Sequence, residues 1–176
     1  YEGGDLGGFK AYAVSWKDIS KQLYDSEYFG EELKKKALVK DLLPMDIKNI
    51  PDPETKAAAI LKFVQTNYTW NKNYGAGVEE KGGIKNLINT KVGNSGEINL
   101  LTIMLMKSAG LESQPLVLST IRNGLLMDHA PSLAQLNYVL AFLEINGKPF
   151  LYDATSKMSV PNLIRPAALT YAGYLI

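Results

Sequence analysis

Three residues in the second half of the chain have side chains that could carry out acyl transfer if the fold brought them together. Ser95 lies in "VGNSGE", where a tight glycine turn precedes a long apolar run, and many folds place a nucleophile at such a helix start. Tyr138 lies in "LNYVLAF" and Asp153 in "LYDAT", each within an apolar stretch typical of a strand. A helix start that carries a small hydroxyl residue is thus followed by a predicted hairpin that carries an aromatic residue and a carboxylate.

The apolar run after Ser95 predicts a buried central helix. Its apolar residues cover nearly the whole circumference of the helix: Ile98, Leu100, Leu101, Ile103, Met104, Leu105 and Met106. Ser95, Asn99 and Thr102 are spaced so that they lie on a single polar stripe. Because a buried polar group needs a partner, this stripe indicates polar partners or a cleft, and Asn99 is a candidate binding residue.

After this helix the apolar pattern changes to that of strands. Three runs are predicted to form an antiparallel sheet: 114–121, 136–145 and 148–154. Asn146 and Gly147, between the last two runs, are the signature of a two-residue type I′ hairpin. Counting back from that turn makes Tyr138 and Asp153 diagonal neighbours on one face of the sheet, about 7–8 Å apart at Cα.

Helices are predicted upstream of this region. Ser15 and Ser26 are candidate N-caps for two short helices that end by Lys36. Asp52 is a candidate N-cap for a longer helix, with a proline at the first helical position and Trp70 near the end. A loop with four glycines follows, and these elements together are expected to cover one side of the sheet.

Composition excludes several classes of protein. A chain of 176 residues that is 46% hydrophobic is long enough for one domain, so 1–176 is expected to be a single unit. The net charge is +1 and no basic run is interleaved with aromatics, so a nucleic-acid partner is not expected. The absence of cysteine excludes disulfides and thiol nucleophiles. No apolar run approaches the roughly 20 residues of a membrane span, and no secretion signal is visible.

These segments in their order resemble the transglutaminase-like superfamily, and more closely a bacterial subgroup common in surface and periplasmic proteins of Bacteroidetes. The resemblance rests on "VQTNYTWN", "VGNSGEINLLTIMLMKSAGLESQPLVLST" and "LNYVLAFLEINGKPFLYDAT", and covers about residues 50–156. It implies an α+β fold with a papain-like core, in which a buried helix packs on an antiparallel sheet. It also implies a periplasmic or cell-surface location, and an apolar end "TYAGYLI" leads us to expect a fragment of a longer multidomain protein.

The family's catalytic triad is altered at two positions. Its Gly-x-Cys motif matches the segment ending at Ser95, its histidine position matches Tyr138, and its aspartate is retained as Asp153. A serine hydroxyl needs a positioned general base, and a tyrosine with a pKa of about 10 is a poor one. The resemblance therefore implies a degenerate triad without acyl-transfer activity, unless the chain's single histidine, His129 in "MDHAPSLAQ", folds over the cleft as a replacement base.

Each candidate residue also has a structural interpretation. Ser95 can serve as the N-cap of its helix, and Tyr138 can be a core aromatic that donates to Asp153. Trp70 is either a core residue or a flank of the ancestral cleft. Arg122, which follows a predicted strand, is either a solvated rim residue or an anion contact, and His129 is either a solvated loop residue or part of the cleft.

Three functions remain open from the sequence. The first is a non-catalytic module that binds a peptide or glycan, or organises neighbouring domains, in an exported bacterial protein. The second is an active amide or peptide hydrolase or acyltransferase with Ser95 as its nucleophile. The third is a structural spacer without a ligand, which a closed volume around Ser95 would favour. No cofactor and no metal are expected.

Overall fold

The computed structural model describes residues 15–79, 81–124, 126, 131–168 and 172–176. Along these ranges the helices and strands are α1 (Trp16–Tyr24), α2 (Gly30–Lys34), α3 (Met45–Lys48), α4 (Pro53–Asn67), β1 (Thr69–Trp70), α5 (Gly83–Thr90), β2 (Val92–Gly93), α6 (Ser95–Ser108), β3 (Gln114–Leu118), β4 (Tyr138–Ile145), β5 (Lys148–Tyr152) and β6 (Gly173–Leu175). The predicted α+β class is confirmed.

The main sheet has four strands in the order β5-β4-β3-β6, and every pairing within it is antiparallel. The predicted hairpin is confirmed, with Ile145 opposite Lys148 and left-handed backbone at Asn146 and Gly147. The first predicted strand is shorter than expected. It ends at Leu118 because the Thr120 amide donates to an asparagine side chain instead of continuing the ladder, and a short 3-10 turn follows.

Helix α6 is the buried centre of the molecule, as predicted. Every residue from Ser95 to Met106 is buried, and the helix packs on β4 on one side and on α4 and α5 on the other. The helix ends at Ser108, and Gly110 follows in the left-handed conformation that terminates many helices. Because α6 is buried, water does not reach its polar stripe. Each polar side chain of the stripe therefore needs a hydrogen-bond partner inside the protein.

Two predictions about the helices need correction. Ser26 does not cap a helix: its hydroxyl donates to the Leu23 carbonyl at 2.6 Å, and α2 begins at Gly30. Trp70 is not at a helix end, because α4 ends at Asn67 and Trp70 lies in β1, which pairs in parallel with β2. At the end of α4, the Lys157 ammonium donates hydrogen bonds to the backbone carbonyls of Gln65 and Tyr68.

The N-caps at Ser15 and Asp52 are confirmed. Ser15 and Asp18 form a capping box at α1, and the Asp52 carboxylate accepts from the Thr55 amide at 2.8 Å. None of the described helices is both long and apolar enough to cross a membrane.

Candidate functional site

Ser95 lies at the start of α6, but it is the first helical residue rather than the cap. The cap is Asn94, whose side chain accepts from the Glu97 amide while Glu97 accepts from the Asn94 amide. The predicted capping role of Ser95 is therefore wrong by one position. Asn94 has the longer side chain and completes a capping box, which leaves the Ser95 hydroxyl free for another partner.

That partner is the backbone of Gly75. The Ser95 Oγ accepts from the Gly75 amide at 2.9 Å and donates to the Gly75 carbonyl at 3.0 Å. The Ser95 side chain is fully buried. The loop approaches this closely because Gly96 has no side chain: a Cβ there would lie 2.5 Å from the Gly77 carbonyl oxygen. Within the described part of the chain, the Ser95 Oγ thus makes two hydrogen bonds, one as acceptor and one as donor, and both are to the loop that covers Ser95.

Asp153 is fully buried just after β5 and accepts hydrogen bonds on both carboxylate oxygens. Its Oδ2 accepts from the Tyr138 hydroxyl at 2.9 Å, and its Oδ1 accepts from the Thr155 hydroxyl at 2.7 Å and the Thr155 amide at 3.1 Å. The Asn99 amide adds a fourth bond at 3.2 Å. A buried carboxylate persists only with such partners, so the predicted pairing of Tyr138 with Asp153 is confirmed.

Tyr138 is a donor in this network and not a base. Its fully buried hydroxyl lies 2.9 Å from Asp153 and 3.0 Å from the Thr155 hydroxyl. Burial, followed by the charge of Asp153, raises the pKa of Tyr138 above its ordinary value. The phenol therefore stays protonated at neutral pH, and it cannot accept a proton from Ser95.

Asn99 joins the central helix to the sheet. Its side-chain amide donates to the Val139 carbonyl at 2.8 Å and to Asp153, while its carbonyl accepts from the Ala154 amide at 2.9 Å. Asn99 is fully buried. The polar stripe on α6 was predicted to meet polar partners or a cleft, and at Asn99 it meets partners. Asn99 is thus a structural residue and does not line an open cleft.

Arg165 belongs to the same network, although no pattern in the sequence singles it out. Its Nη2 donates to the Thr155 hydroxyl at 2.8 Å, and its Nε lies 3.8 Å from the Asp153 Oδ2. The guanidinium carbon lies 4.1 Å from the centre of the Trp70 ring. Arg165 thus places a positive charge beside Asp153 and links Trp70 to the network.

Trp70 also contacts the loop that covers Ser95. Its indole N–H donates to the Asn73 carbonyl at 2.7 Å, the same carbonyl that accepts from the Ser95 amide. The Tyr74 ring lies edge-on to Trp70 at 5.4 Å and tilted against Tyr138 at 5.7 Å. These contacts hold the loop between the start of α6 and the sheet.

Arg122 lies outside this network, on an open cleft. It lines the cleft with Tyr74, and its side chain is exposed. His129, the other residue predicted for the cleft, lies outside the described residues. Among the residues that the structure does describe, no group of three histidine, aspartate or glutamate side chains is arranged to hold a metal ion.

Comparison with known families agrees with this architecture. Residues 42–124 match the model of the transglutaminase-like superfamily. This range contains β1, the covering loop and α6, and it ends before Tyr138 and Asp153. Residues 42–124 are therefore similar to the core of the transglutaminase-like superfamily, which confirms the predicted resemblance.

The chain is similar to solved structures, one of which, with a TM-score above 0.5, shows the same fold. A proposed cysteine protease from Cytophaga hutchinsonii aligns with a TM-score of 0.51 and 16% identity over 78% of this chain. A proposed protease from Parabacteroides distasonis aligns with a TM-score of 0.49 and 19% identity over 77% of this chain. The present chain spans 42% and 25% of those two chains, respectively. No curated protein sequence matches it significantly.

Proposed function

We propose that this domain is a non-catalytic transglutaminase-like module whose former triad is a buried structural network. The observation that carries the proposal is the direction of the Tyr138 hydrogen bond. At the histidine position the family's mechanism needs a proton acceptor, and this chain has a phenol that donates to Asp153.

Ser95 adds a second, independent argument. A serine nucleophile needs its hydroxyl hydrogen-bonded to a base and its oxygen open to a substrate carbonyl. Here the hydroxyl donates to the Gly75 carbonyl, accepts from the Gly75 amide, and is fully buried. Loss of one essential member of a nucleophile–base unit costs on the order of a millionfold in turnover in a well-studied protease.

The closed volume also distinguishes among the non-catalytic functions. Ser95, Tyr138 and Asp153 are all fully buried, so the triad positions themselves offer no room for a ligand. This favours a scaffold role there, which we extend to the organisation of neighbouring domains in an exported protein of the periplasm or cell surface. Any peptide or glycan would have to bind beside the triad positions.

The alternative is a hydrolase or acyltransferase in which His129 activates Ser95. Amide hydrolysis and amine incorporation measured on wild-type protein and Ser95→Ala decide between the two. We expect the two proteins to be indistinguishable. Wild-type turnover that disappears in both Ser95→Ala and His129→Ala would overturn the proposal.

A gain-of-function experiment tests the same proposal from the other side. Ser95→Cys combined with Tyr138→His restores the residue types of the family's triad next to the retained Asp153. We expect slow amide hydrolysis in the double variant, at a rate limited by opening of the Gly75 loop that covers position 95. Ser95→Cys alone should show none, because the lone thiol lacks an imidazole partner. Equal activity in the single and double variants would show that Tyr138 is not what blocks catalysis.

A further inference from the structure

An open cleft lies beside the buried network, at the end of the sheet where β3 ends and β4 begins. It encloses about 530 Å³, a volume within the range of small-ligand sites. Its walls come from the loop between β1 and α5, the turn after β3, the residue before β4 and the turn after Arg165: Tyr74, Thr120, Arg122, Asn123, Asn137 and Ala167. Ser95, Tyr138 and Asp153 do not line this cleft.

The amide side chains of the cleft are held in place by internal hydrogen bonds. The Asn137 amide donates to the Thr120 hydroxyl at 2.8 Å, and its carbonyl accepts from the Thr120 backbone at 2.8 Å. The Asn123 amide donates to the Gln135 carbonyl at 2.9 Å and to the Ser119 hydroxyl at 3.2 Å. Fixed polar walls lower the ordering cost of binding a polar ligand.

Arg122 is the cleft's positive charge. It stands one residue from Asn123 in the 3-10 turn, its side chain is exposed, and within the described chain it makes no ion pair. A guanidinium presents a planar fork of donors that matches a carboxylate. The two arginines at this end of the molecule therefore differ: Arg165 contacts Asp153 and Thr155, whereas Arg122 is exposed and has no carboxylate partner among the described residues.

Tyr74 supplies an aromatic surface in the same cleft. Its side chain is 38% exposed, and its position is set by ring contacts with Trp70 and Tyr138 on its inner side. A fixed, partly exposed ring next to fixed amides and an exposed cation is suited to a ligand with an apolar face, hydroxyls and a negative charge.

We propose that this cleft binds an acidic glycan, through a sugar ring that carries a carboxylate. The carboxylate pairs with Arg122, the ring packs on Tyr74, and the hydroxyls contact the walls at Asn123 and Asn137. The proposal rests on the proposed function, in which any ligand has to bind outside the closed triad positions.

A glycan fits these walls better than an extended peptide does. Extended peptides are commonly bound by adding a strand to a free sheet edge. The cleft instead lies beyond the strand ends, and its polar groups are side chains. At one edge of the sheet, the backbone of Leu151 is already satisfied, since its amide donates to the Asn162 side chain and its carbonyl accepts from the Asn162 amide.

Titration calorimetry with a galacturonic acid trisaccharide, and with the neutral galactose trisaccharide, tests the proposal. We expect the acidic sugar to bind roughly tenfold or more tightly than the neutral one, with an affinity that falls as salt rises. Arg122→Gln should remove that difference, and Tyr74→Ala should weaken both sugars. Lys107→Gln, the same charge change at the far end of α6, should leave binding unchanged.

Three results would overturn it: no heat of binding with either sugar at millimolar concentration, equal affinity for the two sugars, or tighter binding of a glutamate-rich peptide than of the acidic sugar. The recovered trisaccharide is also analysed for cleavage, and amide hydrolysis is assayed separately with Ser95→Ala. Failure of sugar binding with no Ser95-dependent turnover rejects the acidic-glycan site alone, whereas Ser95-dependent turnover rejects the proposed function.

Discussion

The polar residues on the two sides of the Tyr74 ring differ in whether the protein already provides their partners. The inner side faces the network around Asp153, and the outer side faces the open cleft. On the inner side, Tyr138 and Asp153 are fully buried, and each hydroxyl or carboxylate oxygen has a partner inside the protein. On the outer side, Arg122 is exposed and free of ion pairs within the described chain. The comparison shows that a group's chemical type does not make a functional site: what matters is whether the fold has already used its hydrogen bonds.

The largest effect is expected at the centre of the inner network. Asp153→Ala removes the acceptor for Tyr138, Thr155 and Asn99 and leaves the Arg165 charge without a carboxylate. We expect the free energy of unfolding to fall by about 3–5 kcal/mol in urea denaturation. The exposed Asp46→Ala serves as the control, with a change below about 0.5 kcal/mol. A small loss for Asp153→Ala would mean that the network contributes little.

Two buried tyrosines provide a sharper test. The Tyr138 hydroxyl is bonded to Asp153, whereas the equally buried Tyr152 hydroxyl has no hydrogen-bond partner in the described chain. Tyr138→Phe should cost about 1–3 kcal/mol, because it strips a donor from a buried carboxylate. Tyr152→Phe should be neutral or stabilising, since it removes an unpaired polar group. If Tyr138→Phe and Tyr152→Phe lower the free energy of unfolding equally, in thermal and urea unfolding, the two hydroxyls do not differ in their hydrogen bonding as described.

Substitutions of Arg165 and Arg122 show which of the two arginines belongs to the buried network. Arg165→Gln loses the charge beside Asp153 and the stacking on Trp70, and we expect it to cost about 1–2 kcal/mol. Arg122→Gln should change the unfolding free energy by less than about 0.5 kcal/mol, since the side chain is exposed. The reverse order of costs, measured in the same urea series, would place Arg122 inside the network.

The pH dependence of stability follows from the same tyrosines. Burial, together with the charge of Glu54, raises the pKa of Tyr152 to about 12, and the pKa of Tyr138 is also raised. Because tyrosines of the unfolded chain ionise near pH 10 and these two ionise only at higher pH in the folded protein, their contribution to stability should be constant below pH 10 and should fall towards pH 12. The decline should be shallower in Tyr152→Phe. Stability that rises over this range would contradict the assignment.

The sequence predicted the elements that local patterns specify. The hairpin followed from Asn146 and Gly147, and the burial of α6 followed from an apolar circumference. The contact between Tyr138 and Asp153 followed from that turn alone, because strand pairing converts a turn into a register.

The rest depends on contacts between segments far apart in the chain. Arg165 lies in a stretch without periodicity, and only the folded loop brings it to Trp70, so no local signal could have found it. Ser95 was predicted to cap α6, but its hydroxyl meets Gly75, twenty residues earlier. Such a contact is set by tertiary packing, which one sequence does not encode in a readable pattern.

The most direct test of a closed triad uses the absence of cysteine from the chain. Ser95→Cys and Ser108→Cys each introduce one thiol, the first at the buried start of α6 and the second at its exposed end. Labelling of the folded proteins with a thiol reagent compares the two positions. We predict rapid labelling of Ser108→Cys, and labelling of Ser95→Cys slower by a factor on the order of a hundred or more, with full labelling once the protein is unfolded. Equally fast labelling at both positions in the folded protein would show that the start of α6 is open and would contradict the account.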